Sequence, residues 1–300
     1  MRIGTEIPSL APDAATIARI VRDADASDIY SLWAQDHFFG NINFGNVEDP
    51  QLEVYTLLGF AAGVSQRVRL GALVTAAVYR QPGLLGKIVT TLDVLSAGRA
   101  YLGIGCAWFE QEALGLGIEF PPLAERFDRM EEVIQVVLQM FAGDDSAYKG
   151  RYYRLSRPLN SPGCVQKPHP PLLIAGGGER KTLRMVAQYA DACNLLAFDM
   201  DTVRTKLEVL KAHCARLNRP YEDIEKTAWV PLPLAEKSTG DKCTPAQAMD
   251  TIHEFAEMGV DHVVVYVEGP EEPQKIQLIA ELAALARPVV PKGRIEQLPM

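Results

Sequence analysis

Ser31-Leu32-Trp33-Ala34-Gln35-Asp36-His37-Phe38 is a short apolar run that ends in an adjacent carboxylate and imidazole. A run of this length and composition reads as a buried strand, and the strands of a parallel α/β sheet open onto the ligand crevice at their carboxyl ends. Asp36 and His37 are therefore expected to face a ligand rather than the core, with His37 placed for proton transfer.

Runs of the same kind recur along the chain at residues 3–5, 30–34, 68–73, 100–104, 172–175, 192–196, 227–234 and 262–267. Segments with helical spacing separate them, which is the pattern of repeated βα units around a parallel sheet. Eight such units in 300 residues predict an α/β fold, a (β/α)8 TIM barrel. Ile17, Ile20, Val21 and Ala24 share one face of the first helix. Leu84, Leu85, Ile88, Leu92 and Leu95, behind Pro82, are expected to do the same in the third and to pack on the sheet. Phe127, Met130, Ile134, Val137, Leu138 and Phe141 mark a long fourth helix, and Thr244-Pro245-Ala246-Gln247 reads as a capping box opening the seventh, closed by Gly259.

Three segments exceed a minimal barrel: 38–50, 107–122 and 143–171. The first two follow strands, so they are expected as insertions at the C-terminal face that wall a substrate site. The third contains Tyr148-Lys149-Gly150-Arg151-Tyr152-Tyr153, which reads as a hairpin. No linker or internal repeat beyond the βα alternation divides the chain, so 1–300 reads as a single domain with a peripheral Pro-rich tail after Arg287.

The composition narrows the function classes. A chain that is 48% hydrophobic and 23% charged can bury a large core, and its net charge of -8 comes with no block of Lys or Arg. The basic footprint of a nucleic-acid binder is missing. There is no apolar run of membrane-spanning length and no secretory leader, which points to a cytoplasmic protein with a small-molecule partner. The five cysteines, 106, 164, 193, 214 and 243, contain no C-x-x-C pair and read as reduced thiols. His169, His213, His253 and His262 lack metal-ligand spacing, so no metal site is expected.

Two glycine-containing turns carry chemistry. Gly103-Ile104-Gly105-Cys106-Ala107-Trp108 follows a strand but has Trp108 where a dinucleotide fingerprint needs its third glycine. That leaves either a tight turn with a packed indole or backbone running along a flat ligand with Trp108 at the pocket wall. Ile174-Ala175-Gly176-Gly177-Gly178-Glu179-Arg180-Lys181-Thr182 places three glycines before a helix. Unobstructed amides at the positive end of a helix dipole suit a phosphate. Arg180 stands where a P-loop has glycine, which argues against nucleoside triphosphate hydrolysis.

Taken in order with Leu70-Gly71-Ala72-Leu73-Val74-Thr75, Leu95-Ser96-Ala97-Gly98-Arg99 and Glu125-Arg126-Phe127-Asp128-Arg129, these motifs resemble the bacterial luciferase-like superfamily. Its branch that uses the deazaflavin coenzyme F420 is the one they resemble most. The resemblance runs from Arg2 to about Leu285. It implies a homodimer of (β/α)8 barrels with the coenzyme at the carboxyl end of each. Leu73, Val74 and Thr75 would meet the tricyclic ring, with Leu73–Val74 as a cis peptide bond. Gly105, Cys106, Ala107 and Trp108 would line the ring, and Ala175, Gly176, Gly177 and Gly178 would hold the coenzyme phosphate.

His37 would give or take the proton that balances hydride transfer, and Asp36 would orient it or contact the coenzyme. Sugar-phosphate dehydrogenases of the family have glutamate at the position of Trp108, so sugar-phosphate oxidation is disfavoured, although Glu110 or Glu112 lies close enough in sequence to reach the site. The turn Ala26-Ser27-Asp28-Ile29 also departs from the family's Gly-Phe-Asp. An FMN-dependent monooxygenase using dioxygen is the alternative on the same fold, and a non-catalytic flavin-binding barrel is the second. Phe38, Phe39, Phe44, Trp108 and Phe109 are candidate walls of an apolar substrate pocket.

Overall fold

The computed structural model describes residues 1–8, 13–43, 45–269 and 271–294. The first half of the chain alternates β1 (Arg2–Glu6), α1 (Ala14–Asp25), β2 (Ser31–Ala34), α2 (Val54–Val64), β3 (Arg69–Ala72), β4 (Thr75–Ala76), α3 (Pro82–Leu95) and β5 (Ala100–Gly105). Then come α4 (Glu110–Gly115), α5 (Leu123–Phe141) and a hairpin of β6 (Tyr148–Lys149) with β7 (Arg154–Leu155). The last four units are β8 (Leu172–Ala175), α6 (Thr182–Tyr189), β9 (Ala192–Leu196), α7 (Met200–Arg216), β10 (Glu225–Pro231), α8 (Pro245–Glu257), β11 (His262–Tyr266) and α9 (Pro273–Ala286).

All neighbouring strands of the main sheet run parallel, and β3 pairs with β5 to close the ring. β4 prolongs β3 along the edge of β5, with Thr75 opposite Ile104, so the nine segments fill eight staves of a barrel. The predicted (β/α)8 barrel is the observed fold. Between β3 and β4 the Leu73–Val74 peptide bond is cis, where the resemblance placed it.

Strand alternation sorts side chains between two cores. In β2, Leu32 and Ala34 point outward into the layer shared with α1, α2 and α9, while Trp33 points inward and packs with Tyr101, Leu173, Trp229 and Val264. Burying an aromatic or branched side chain in either layer contributes about 1.5–3 kcal/mol. The Trp33 ring fits because residue 71 is glycine; a Cβ there would lie 2.6 Å from a ring carbon.

Three helical expectations meet different outcomes. The capping box is present, with the Gln247 amide donating to Thr244 Oγ1 and the Thr244 amide to Gln247 Oε1. In α3 the expected face is rotated: Leu85, Val89 and Leu92 are buried, while Leu84 and Leu95 are exposed. The helix is apolar on both sides, and Gly86 turns toward Met140 of α5, where a Cβ would meet the sulfur at 2.9 Å. The tail is not peripheral as far as Arg294, whose guanidinium bonds both carboxylate oxygens of buried Asp261 at 2.6 and 2.8 Å.

The floor of the barrel, at the amino ends of the strands, is a polar network centred on Glu225. Glu225 accepts from Arg2 Nη1 at 3.1 Å and from the Tyr101 hydroxyl at 3.0 Å, and His262 Nδ1 lies 3.3 Å away. His262 Nε2 meets Ser31 Oγ at 2.8 Å, and Ser31 in turn accepts from Trp33 Nε1 at 2.7 Å. Burial pushes the Glu225 carboxyl up, but His262, Arg2 and Tyr101 outweigh it and pull it down to about 2. A carboxyl depressed by folding stabilises above its unfolded pKa, and that stability is lost as pH falls. Glu225→Gln is therefore expected to cost about 3–5 kcal/mol near neutral pH. In thermal melts the gap from the parent should close as pH falls from 4.5 toward 2; equal melting temperatures at neutral pH would contradict the role given to Glu225.

Candidate active site

The carboxyl ends of the strands surround a cavity of about 620 Å³. Eleven of the sequence-predicted residues reach its wall: Asp36, His37, Leu73, Val74, Thr75, Gly105, Cys106, Ala107, Trp108, Ala175 and Gly176. Gly177 and Gly178 do not line it and lie in the turn ahead of α6. The predicted segments thus converge from β2, β4, β5 and β8, because each lies just past the end of a stave.

His37 is held from behind. Its Nδ1 lies 2.7 Å from Glu112 Oε1, which also accepts from the Tyr79 hydroxyl at 2.5 Å. Glu112 Oε2 accepts the backbone amides of Phe38 at 2.8 Å and Phe39 at 3.2 Å. This carboxylate is fully buried. Burial pushes its pKa up, and the bonds from His37, Tyr79 and Phe38 more than offset that, holding it below the ordinary value. An ionised Glu112 accepts a proton-bearing Nδ1, which leaves Nε2 as the ring nitrogen open to a ligand. The Trp108 ring meets the imidazole edge-on at 5.3 Å and stacks on Phe109 at 5.0 Å, so the indole forms cavity wall and rim.

Asp36 does not orient His37, contrary to one expectation for it. Its carboxylate takes both arms of Arg80, at 2.6 and 2.9 Å, and the Ala76 amide at 3.1 Å. Arg80 Nη2 also reaches Glu53 at 2.6 Å, the residue whose side chain caps α2. Burial pushes the Asp36 carboxyl up, and the guanidinium pulls the other way. Asp36 and Arg80 therefore staple the loop after β2 to β4 and α2. The adjacency of Asp36 to His37 in sequence hides this, since neighbouring side chains leave an extended segment in opposite directions.

Glu6, at the end of β1, is a site residue that the motifs do not single out. It lines the cavity and accepts from Trp229 Nε1 and Gln35 Nε2, both at 3.0 Å. Burial without a cation bonded to it pushes its carboxyl up to about 7. The strand-end rule that picks out Asp36 and His37 applies equally to Glu6 and would find it. Of the expected apolar walls, only Trp108 lines the cavity. Phe38 packs on Tyr79, Phe39 lies under Gly115, Phe109 is buried behind Trp108, and Phe44 falls outside the described residues. Phe198 and Trp229 supply aromatic wall instead.

The turn after β8 has the features of an anion cradle. Gly176 adopts φ +118°, open to glycine, and its amide is spent on the Asn194 carbonyl at 3.0 Å. The amides of Gly177 and Gly178 have no acceptor among the described residues, and both precede the N-terminus of α6. Lys206 lies against Gly177, where a Cβ would meet its Cε at 3.4 Å.

A family model described as luciferase-like monooxygenase matches residues 1–255. The chain belongs to that family. It is 35% identical over 252 residues, 75% of this chain and 73% of the relative, to an F420-dependent glucose-6-phosphate dehydrogenase of Microbacterium testaceum. It spans about half the length of other curated relatives it matches, 52% and 47% in two cases. An F420-dependent secondary alcohol dehydrogenase, solved in complex with an F420–acetone adduct, superposes with a TM-score of 0.80 over 94% of this chain and 97% of its own, at 14% identity. The oxygenating component of a type II Baeyer-Villiger monooxygenase from Pseudomonas putida, in complex with FMN, gives 0.76 over 97% and 98%, at 13% identity. At these identities the likeness concerns the fold. The chain thus shares the fold of these luciferase-like proteins, and its cavity lies at the carboxyl end of the barrel.

The four bonds to Glu112 make a local prediction. Glu112→Ala leaves the Phe38 and Phe39 amides without their acceptor, at a cost of about 1.5–3 kcal/mol for each lost bond to the charge. Hydrogen exchange at those two amides is expected to accelerate while strands elsewhere in the barrel keep their protection. Unchanged exchange at both would show that Glu112 does not organise the loop.

Proposed function

We propose that this protein is a coenzyme F420-dependent oxidoreductase in which His37 Nε2 exchanges a proton with the substrate. The observation that carries the reading is the His37–Glu112 pair. An imidazole tied at Nδ1 to a buried carboxylate has one free nitrogen, and His37 lines the cavity. The relative from Microbacterium testaceum, named as F420-dependent, supports the choice of coenzyme.

The residues fit such a coenzyme. Leu73, Val74 and Thr75 on one wall and Gly105, Cys106, Ala107 and Trp108 on another would flank its ring, while Ala175, Gly176, Gly177 and Gly178 would hold its phosphate through the free amides ahead of α6. When bound, the reduced coenzyme supplies a hydride and the oxidised form accepts one. Toward a carbonyl, His37 in its protonated form donates from Nε2 to the oxygen as the carbon gains the hydride. In the reverse direction neutral His37 takes the hydroxyl proton at Nε2 as the carbon loses a hydride. Glu112 keeps the proton on Nδ1 in both directions and compensates the imidazolium charge.

Titrations of the protein with F420 and with FMN, followed by protein fluorescence, test the coenzyme assignment. F420 is expected to bind at least about tenfold more tightly than FMN, and Gly177→Asp, which sets a carboxylate on the cradle, to weaken F420 by about tenfold or more, a loss of ~1.4 kcal/mol. His37→Ala is expected to retain F420 affinity and to lose on the order of 100-fold or more in turnover of alcohols or carbonyl compounds. Preference for FMN would move the reading to an oxygen-using monooxygenase, and unchanged turnover in the His37 variant would remove the proton role.

A further inference from the structure

We infer that the substrate is an uncharged alcohol or carbonyl compound with a flat ring body, held between Trp108 and Phe198, and not a phosphorylated sugar. The inference names the substrate of the site proposed above and so rests on that reading for the reaction, though not for the binding.

Charge on the cavity wall is the first argument. The ionisable groups there include Glu6, Asp36 and His37, and no Lys or Arg is among the lining residues. The residues outside the description, 9–12, 44, 270 and 295–300, contain no Lys or Arg either. Two arginines lie close behind the wall without lining it, and Arg126 keeps one buried donor, Nε, without a partner among the described residues. Arg80 serves Asp36 and Glu53. Arg126 donates to the Ala107 carbonyl at 2.6 Å and rests on the Phe120 ring at 4.0 Å. A phosphate monoester entering the cavity would give up its hydration with no cation on the wall to replace it, beside the Glu6 carboxyl. The anion cradle at Gly177 and Gly178 is outside the wall and belongs to the coenzyme in the proposed reading.

The rim is the second argument. Trp108, Leu196 and Phe198 line the cavity, yet they stay 48%, 56% and 69% exposed. Ile42, between the lining residues Asn41 and Asn43, is 49% exposed. Large apolar side chains left open around one cavity mark the place where an apolar ligand covers them. Their geometry suits a ring: Trp108 is fixed by its stack on Phe109 and stands beside His37, and Phe198 is set edge-on to Trp229 at 5.6 Å. A flat body between them brings its attached oxygen toward His37, where the proton is exchanged.

Binding to the F420-loaded protein tests this without turnover. Tryptophan fluorescence is titrated with acetophenone, with 4-acetylphenyl phosphate, which differs by the charged group, and with glucose 6-phosphate. Acetophenone is expected to bind about 100-fold more tightly than either phosphate. Phe198→Arg, which adds a cation at the exposed rim, is expected to narrow the gap between the two aromatic ligands to about tenfold or less. Equal or tighter binding of either phosphate by the unaltered protein overturns the inference, and so does failure of acetophenone to saturate. F420 affinity is measured in the same preparation. A protein that binds F420 but not the ketone keeps the proposed function and loses this inference; one that ranks the ligands as expected without binding F420 does the reverse.

Discussion

One buried carboxylate holds the cavity end of the barrel together. Glu112 has no solvent of its own, and its charge is acceptable only because four donors reach it: His37, the Tyr79 hydroxyl and the amides of Phe38 and Phe39. Those donors come from the loop after β2 and the loop after β4, and the acceptor from the short helix after β5. Three segments are thereby tied to one point. The Asp36–Arg80–Glu53 cluster adds a second fastening between the same β2 loop, β4 and α2. The imidazole is thus oriented before any ligand arrives, which is the preorganisation that the proposed proton exchange needs.

The two ends of the barrel use the same residue type in opposite ways. Glu225 and Glu6 are both buried inside the barrel, and burial is the largest influence on each. On the floor, Arg2 and His262 face the Glu225 carboxyl and draw it down to about 2, so it remains an anion. At the cavity, the donors to Glu6 among the described residues are neutral, Trp229 and Gln35, and its carboxyl rises to about 7. Between them, Trp33 and its aromatic neighbours fill the middle of the barrel. The charged floor therefore serves stability, while the upper end leaves the Glu6 carboxyl near its point of titration in the cavity wall.

Much of this is legible in the chain. The eight strands declare themselves because buried parallel staves are short continuous apolar runs, and Asp36 and His37 stand out because they end one. Sequence spacing brings Glu112 within reach of the site but does not reveal that it anchors His37, because α4 is six residues long, too short for a helical period to show which way the carboxylate points. The buried face of α3 departs from the expected one because that helix carries apolar residues on both sides, so spacing alone does not choose between Leu84 and Leu85. Phe198 and Trp229 give no sequence signal because one follows β9 and the other lies in β10, about thirty residues on, and they become one wall only when those two staves pair. Gly177 and Gly178 stand out by composition, but only the turn geometry shows them beside the cavity rather than in its wall.

Nitrogen-15 NMR of the histidine side chains, assigned for His37 by comparison with His37→Ala, tests the central pairing most directly. With Glu112 ionised and bonded to Nδ1, neutral His37 must carry its proton on Nδ1 and show an unprotonated Nε2, a pattern that Glu112→Gln should disturb. A His37 ring protonated at Nε2 in its neutral form, or indifferent to Glu112→Gln, would contradict the pairing and the proton exchange proposed from it.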